Sequence, residues 1–164
     1  MIGKKLQDAF NAQLNAEAYS SYLYLAMAAH CTGLNLDGMA GWLRAQSAEE
    51  WGHAMKFYHY LHERGGTVEL AAIDAPKDNW KSPLALFEAV LKHERKVTGL
   101  INDLVALAAR EDDPAASVFL QWFVAEQVEE EATAEKIVAK LRMIGDSTNG
   151  LFMMDHELGK RKAE

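Results

Sequence analysis

The sequence predicts an all-α protein: a four-helix bundle with one long crossover and a short fifth helix at the C-terminal end. Three observations carry that reading. Only three prolines occur in 164 residues. No stretch alternates apolar and polar side chains as a half-buried strand does. Four long segments repeat apolar residues at alternating steps of three and four, the stripe by which a helix buries one face. A single domain over residues 1–164 is long enough to bury a full bundle core.

The first helix is expected over about 4–32, with the seam Leu6, Phe10, Gln13, Glu17, Ser20, Tyr24 and Met27. Gly33 and Asn35 break it, and Asn35 or Asp37 can cap the next helix. That helix, about 37–64, carries Met39, Leu43, Gln46, Glu50, His53, Phe57 and Tyr60 on one face and ends at Gly65-Gly66. The link of about 65–82 contains Pro76 and is long enough to run the length of the bundle, whereas the first and third links are short and force antiparallel neighbours. Ser82-Pro83 and Asp113-Pro114 are both a capping residue followed by a proline at the first helical position, where no hydrogen bond is lost. They open helices of about 83–110 and 114–144, so the bundle spans about 4–144. The third seam reads Leu84, Phe87, Leu91, Glu94, Thr98, Ile101, Val105 and Ala108. The fourth reads Ala116, Leu120, Phe123, Gln127, Glu130, Ala134, Ile137, Leu141 and Ile144, and Gly145 closes it. A short helix over about 147–160, with Leu151, Phe152, Met153, Met154 and Leu158, is marginal alone and is expected to bury its apolar side against its own bundle or neighbouring copies.

Each seam is interrupted near mid-helix by a metal-ligand side chain: Glu17, Glu50 with His53, Glu94, and Glu130 with the amide Gln127. At 1.5 Å per residue Glu17, Glu50, His53, Glu94 and Glu130 all fall within ~5 Å of their helix midpoints, and in an antiparallel bundle those midpoints coincide. Ionised carboxylates in an apolar core each cost several kcal/mol unless paired or coordinated, so four in one layer call for a shared cation. Di-metal carboxylate bundles carry a Glu on each of two helices and Glu-x-x-His on the other two. Here Glu50-x-x-His53 supplies one such pair, while Thr133 stands where the second histidine would be. One metal is expected on Glu17, Glu50 and His53, and the other on a bridging Glu50 with Glu94 and Glu130. Glu49, Glu126 and Glu129 cluster beside Glu130, either as a solvated acidic face or as a third metal position. Tyr24, a phenol on the Glu17 seam, is expected to hydrogen-bond a ligand or donate an electron, and Trp122 to pack. His30, His59, His62, His93 and His156 read as surface or packing residues.

A formal net charge of −7 argues against nucleic acid and favours cations. The basic run Lys160, Arg161, Lys162 reads as a solvated helix end. The lone Cys31 excludes an intramolecular disulfide and a Cys-x-x-Cys haem or zinc signature. No signal-peptide core and no apolar run of membrane-spanning length is present, so no membrane association and a cytoplasmic location are expected.

With these residues in place, the chain resembles the bacterial non-haem ferritins over essentially its whole length. The stretches that carry the likeness are AQLNAEAYSSYLYLAMA, AEEWGHAMKF, LKHERKVTGLI, AEQVEEEATAEKIVAKL and the tail GLFMMDHELGKR. The resemblance implies a ferritin-like bundle assembled as a homo-oligomeric cage of twenty-four copies, oxidising Fe(II) with O2 or H2O2 and storing hydrated ferric oxide. By the family motif, Glu17, Glu50, His53, Glu94 and Glu130 match the dinuclear ferroxidase centre, with Gln127 close by. Glu49, Glu126, Glu129 and Glu130 match the third iron site of bacterial members. Trp51 stands where the bacterioferritins have a haem-ligating methionine, so non-haem iron and no haem are expected. One cysteine cannot build the iron module of a rubrerythrin. No carboxylate lies between Asp113 and Glu126, where animal ferritins have an acidic entry funnel. The alternative enzyme class is a di-iron oxidoreductase acting on a small organic substrate, and the non-catalytic alternative is a bundle with protonated core carboxylates.

Overall fold

The computed structural model describes residues 1–161, which form five α-helices and, among them, no strand. They are α1 Lys4–Gly33, α2 Asp37–Glu63, α3 Pro83–Arg110, α4 Pro114–Ile144 and α5 Thr148–Leu158. The two proline starts behave as their sequence requires: Ser82 Oγ accepts from Ala85 N at 3.1 Å and Asp113 Oδ1 from Ala116 N at 2.9 Å. Ser147 caps α5 in the same way, accepting from Gly150 N. No helix among the described residues is long and apolar enough to cross a membrane.

α1 packs on α2 and α3 on α4 as two hairpins, and the crossover returns along the outside of α1. Three α1 side chains one turn apart hold that return in place. Gln7 accepts from Thr67 N at 2.9 Å, Asn11 donates to Thr67 O and accepts from Glu69 N, and Asn15 donates to Ala72 O at 3.1 Å. Trp80, near its end, is buried edge-on against His30.

The apolar core is in two pieces. One, around Met27, Met39, Leu43, Phe87 and Leu141, includes Met154 and Leu158 of α5. The other, around Phe10, Phe57, Leu61, Ile101 and Phe123, fills the opposite end. Between them lies a layer of buried polar residues from all four long helices: Gln13, Glu17, Gln46, Glu50, His53, Glu94, Gln127 and Glu130. No Cα of α2 comes within 8 Å of one of α4. Gln46 of α2 and Glu130 of α4 reach across that separation with their side chains.

The structure departs from the sequence reading at four places. On α3 the column Phe87, Glu94, Ile101, Ala108 is buried, but its companion is Val90, Val97 and Leu104, while Leu84, Leu91, Thr98 and Val105 are half-buried. Both columns flank the same ridge and both are largely apolar, so periodicity alone cannot choose between them. The start of α2 is not capped by Asn35 or Asp37. Asn35 takes φ 59° to make the turn, and Asp155 of α5 accepts from Gly38 N at 3.1 Å and Met39 N at 2.8 Å. His93 does find a partner at the depth of the acidic layer, with its Nε2 2.7 Å from Ser20 Oγ. Arg161, expected in solvent, is folded back over α2, as described below; Lys162 lies outside the described residues.

Candidate metal centre

Helix periodicity delivers one face of each long helix to the middle layer, and the groups there meet directly. Glu17, Glu50 and His53 each offer a ligand atom, and these atoms lie within 4.8 Å of one another. His53 Nδ1 is 3.2 Å from Glu50 Oε2 on the same face of α2, as a three-residue step dictates. Gln13, one turn before Glu17, donates Nε2 to Glu17 Oε1 at 2.8 Å. The other Glu17 oxygen, Oε2, is buried with no hydrogen-bond partner. A buried carboxylate oxygen without a donor is costly. It belongs to a residue of the trio that a cation would neutralise.

Glu94 is held differently. The Tyr24 hydroxyl donates to its Oε1, and Gln127 Nε2 reaches both its Oε2 at 3.3 Å and its backbone carbonyl at 3.2 Å. Glu130 Oε2 accepts from Gln46 Nε2 at 2.8 Å, and the same amide lies 3.3 Å from Glu50 Oε1. Glu94 and Glu130 are thus each drawn toward a neutral donor on a neighbouring helix. Among the described residues Glu50, Glu94 and Glu130 do not form a group as tight as the Glu17 trio.

A second tight group does form, from Glu49, Glu126 and Glu130, again with ligand atoms within 4.8 Å. It borders a cleft of about 860 Å³ between α2 and α4 that also exposes Glu129, Lys56 and Trp122. The Glu129 carboxylate lines this cleft without joining the trio. Trp122 packs edge-on to His53 at 5.3 Å with Lys56 over its ring, and both Trp122 and His53 line the cleft.

Electrostatics follow from burial. Desolvation, with the neighbouring Glu50 charge, pushes Glu17 up to about 8. Desolvation, with Glu94 and Glu130 beside it, holds Glu50 well above the ordinary carboxyl range. Glu130 rises to about 7, from burial first and Glu94 second, and Glu94 and Glu126 are also raised by burial. The Tyr24 hydroxyl is held in its protonated, donating form by burial and by Glu94. Burial lowers His93 to about 4, leaving a neutral ring beside Tyr24. Several carboxyl groups that retain protons near neutrality, around one imidazole, form a hard, oxygen-rich donor set that a divalent cation can occupy by displacing those protons.

The heptad interruptions located Glu17, Glu50, His53, Glu94 and Glu130. Periodicity gave Gln13 and Gln46 only as seam residues, since an amide that orients a carboxylate has the same spacing as one that packs. Nothing local to Arg161 signals that its guanidinium reaches Gln46 and Glu49.

The family model of the ferritin-like domain matches residues 7–144. A bacterial non-heme ferritin of Bacteroides fragilis (strain 638R) is 46% identical over 161 residues, 98% of this chain and 100% of that protein. One from Staphylococcus aureus (strain MRSA252) is 39% identical, covering 98% of this chain and 97% of that one. Among solved structures, a closed form of the Archaeoglobus fulgidus ferritin engineered by mutagenesis superposes with a TM-score of 0.99 at 49% identity, covering all of both chains. The open-pore ferritin of that hyperthermophilic archaeon gives 0.98 at 49%, covering 99% of this chain and 100% of that one. Bundle, acidic layer and full-length kinship agree: the chain belongs to the ferritin family, related throughout its length to the non-haem ferritins of bacteria.

Proposed function

We propose that this protein stores iron and oxidises it on the way in, with Fe(II) as substrate and O2 or H2O2 as electron acceptor. The observation that carries the proposal is the acidic layer between two apolar half-cores, in which Glu17, Glu50 and His53 bring ligand atoms within 4.8 Å of one another and Glu17 keeps a buried oxygen with no hydrogen-bond partner. In this reading Glu17, Glu50 and His53 hold the first iron, and Glu50 bridges to a second held with Glu94 and Glu130, with Gln127 orienting Glu94. Arriving Fe(II) displaces carboxyl protons, and hard oxygen donors stabilise the ferric product, so the donor set favours electron loss. The second position has Thr133 where an imidazole would be and holds its ion less firmly, which suits release of product for storage. Glu49, Glu126 and Glu130 form a third position on the cleft side, with Glu129 at its rim. The Tyr24 hydroxyl fixes the rotamer of Glu94.

Storage requires an enclosure, and we assign it to a cage of twenty-four copies in the cytoplasm, in keeping with the related ferritins. The acidic lining of the cleft suits cations better than an organic substrate, which favours storage over a small-molecule di-iron oxidoreductase. The test is to add Fe(II) to the metal-free protein under air near neutral pH, following ferric absorbance and particle mass together. Rapid, saturable oxidation with hundreds of ferric ions retained per particle supports the proposal. Oxidation that stops at about two irons per chain, with no growing mineral, overturns storage.

A further inference from the structure

α5 ends at Leu158, and the three residues after it turn the chain back across the mouth of the acidic cleft. The Arg161 guanidinium lies 4.6 Å from the centre of the buried Trp42 ring, donates Nη1 to Gln46 Oε1 at 2.7 Å and donates Nη2 to the Glu49 carboxylate. Gln46 is the amide whose Nε2 reaches Glu130 and Glu50. Arginine has donors and no acceptor, so it fixes which end of Gln46 faces which way: oxygen toward Arg161, nitrogen toward the carboxylates. The seat of this arm is rigid, because Asp155 caps α2 and Gly38 passes so close to α5 that a Cβ would lie 1.8 Å from the Asp155 carbonyl oxygen.

We propose that Arg161 is a tethered cation that competes with metal for the Glu49, Glu126 and Glu130 group, so that the end of α5 gates the third iron position. This rests on the third position proposed above. The guanidinium already neutralises Glu49, one of the two half-buried carboxylates of the three, and an arriving ion gains that ligand only by displacing it. Displacement also frees Gln46 to turn its oxygen toward the ions. Arg161 is here a positioning residue with a charge the metal must replace, and it does not touch the inner trio.

The test uses Zn(II), which binds without redox chemistry, on the assembled full-length protein, with calorimetric titration for affinity and anomalous diffraction for location. R161Q is expected to bind Zn(II) at Glu49, Glu126 and Glu130 about tenfold more tightly than wild type, the scale of one lost charge-assisted hydrogen bond. Affinity at Glu17, Glu50 and His53, which Arg161 reaches only through Gln46, is expected to change by much less. R161K keeps the charge and is expected to stay near the wild-type value. Equal or weaker binding in R161Q, or R161K binding as tightly as R161Q, overturns the gate while leaving the third position standing. Zn(II) at that position in no variant overturns both.

Discussion

Glu17 concentrates the energetics of the site in one side chain. Its folded-state value of about 8 lies above the ordinary 4.5, so the folded protein holds a proton there that the unfolded chain releases. Its contribution to stability is complete below pH ~4.5 and is lost as pH rises through ~8. The metal-free protein is therefore expected to lose thermal stability between pH 5 and 8. Glu17→Gln should flatten that slope, by on the order of 4 kcal/mol at pH 8, in melting curves taken with chelator. Bound divalent metal should reverse the trend, because it replaces the proton and binds more tightly as pH rises. Tyr24→Phe removes the donor on Glu94, and stopped-flow traces are expected to show a slower oxidation transient with unchanged metal stoichiometry in calorimetry. At this scale the sequence announces a buried carboxylate when it interrupts an apolar seam, as Glu17 and Glu94 do. It is silent where a role depends on a partner far along the chain: Arg161 meets Gln46, a residue 115 positions earlier, and nothing in Lys160-Arg161-Lys162 encodes that meeting.

Among the elements, α5 shows how a marginal helix is retained. It is only 11 residues long and would not persist alone. Met154 and Leu158 bury against the bundle, and Asp155 supplies the cap that α2 lacks in its own sequence. Gly38→Ala places a methyl group inside the Asp155 backbone, so α5 is expected to lift off its seat at a cost of about 1–3 kcal/mol. Faster limited proteolysis near residues 145–150 and a lower melting temperature would register it. The four long helices were legible because their caps and seams are local, as at Ser82 and Asp113. The companion column on α3 was not, because Leu91 and Leu84 are as apolar as Val90 and Leu104, and only the placement of neighbouring helices selects between them.

For the whole molecule, the outer side of α5 sets the expectation of assembly. Phe152 and Met153 are 78% and 73% exposed and, with Met143 and Ile144, border an apolar groove of about 750 Å³. An exposed phenylalanine beside an exposed methionine on one short helix suits burial by further copies. Phe152→Glu is expected to yield smaller assemblies by light scattering, with oxidation retained at the intrasubunit centre and mineral retention lost. The division of the core into two has its own consequence, for cooperativity. Each apolar half can close around itself, but the acidic layer joining them repels itself once two or more of its carboxylates are ionised. In metal-free protein above neutral pH, hydrogen exchange is therefore expected to be fastest in the middle turns of the long helices and slow at both ends. Filling the layer with cations should raise mid-helix protection to that of the ends, so that iron loading turns two loosely coupled folding units into one.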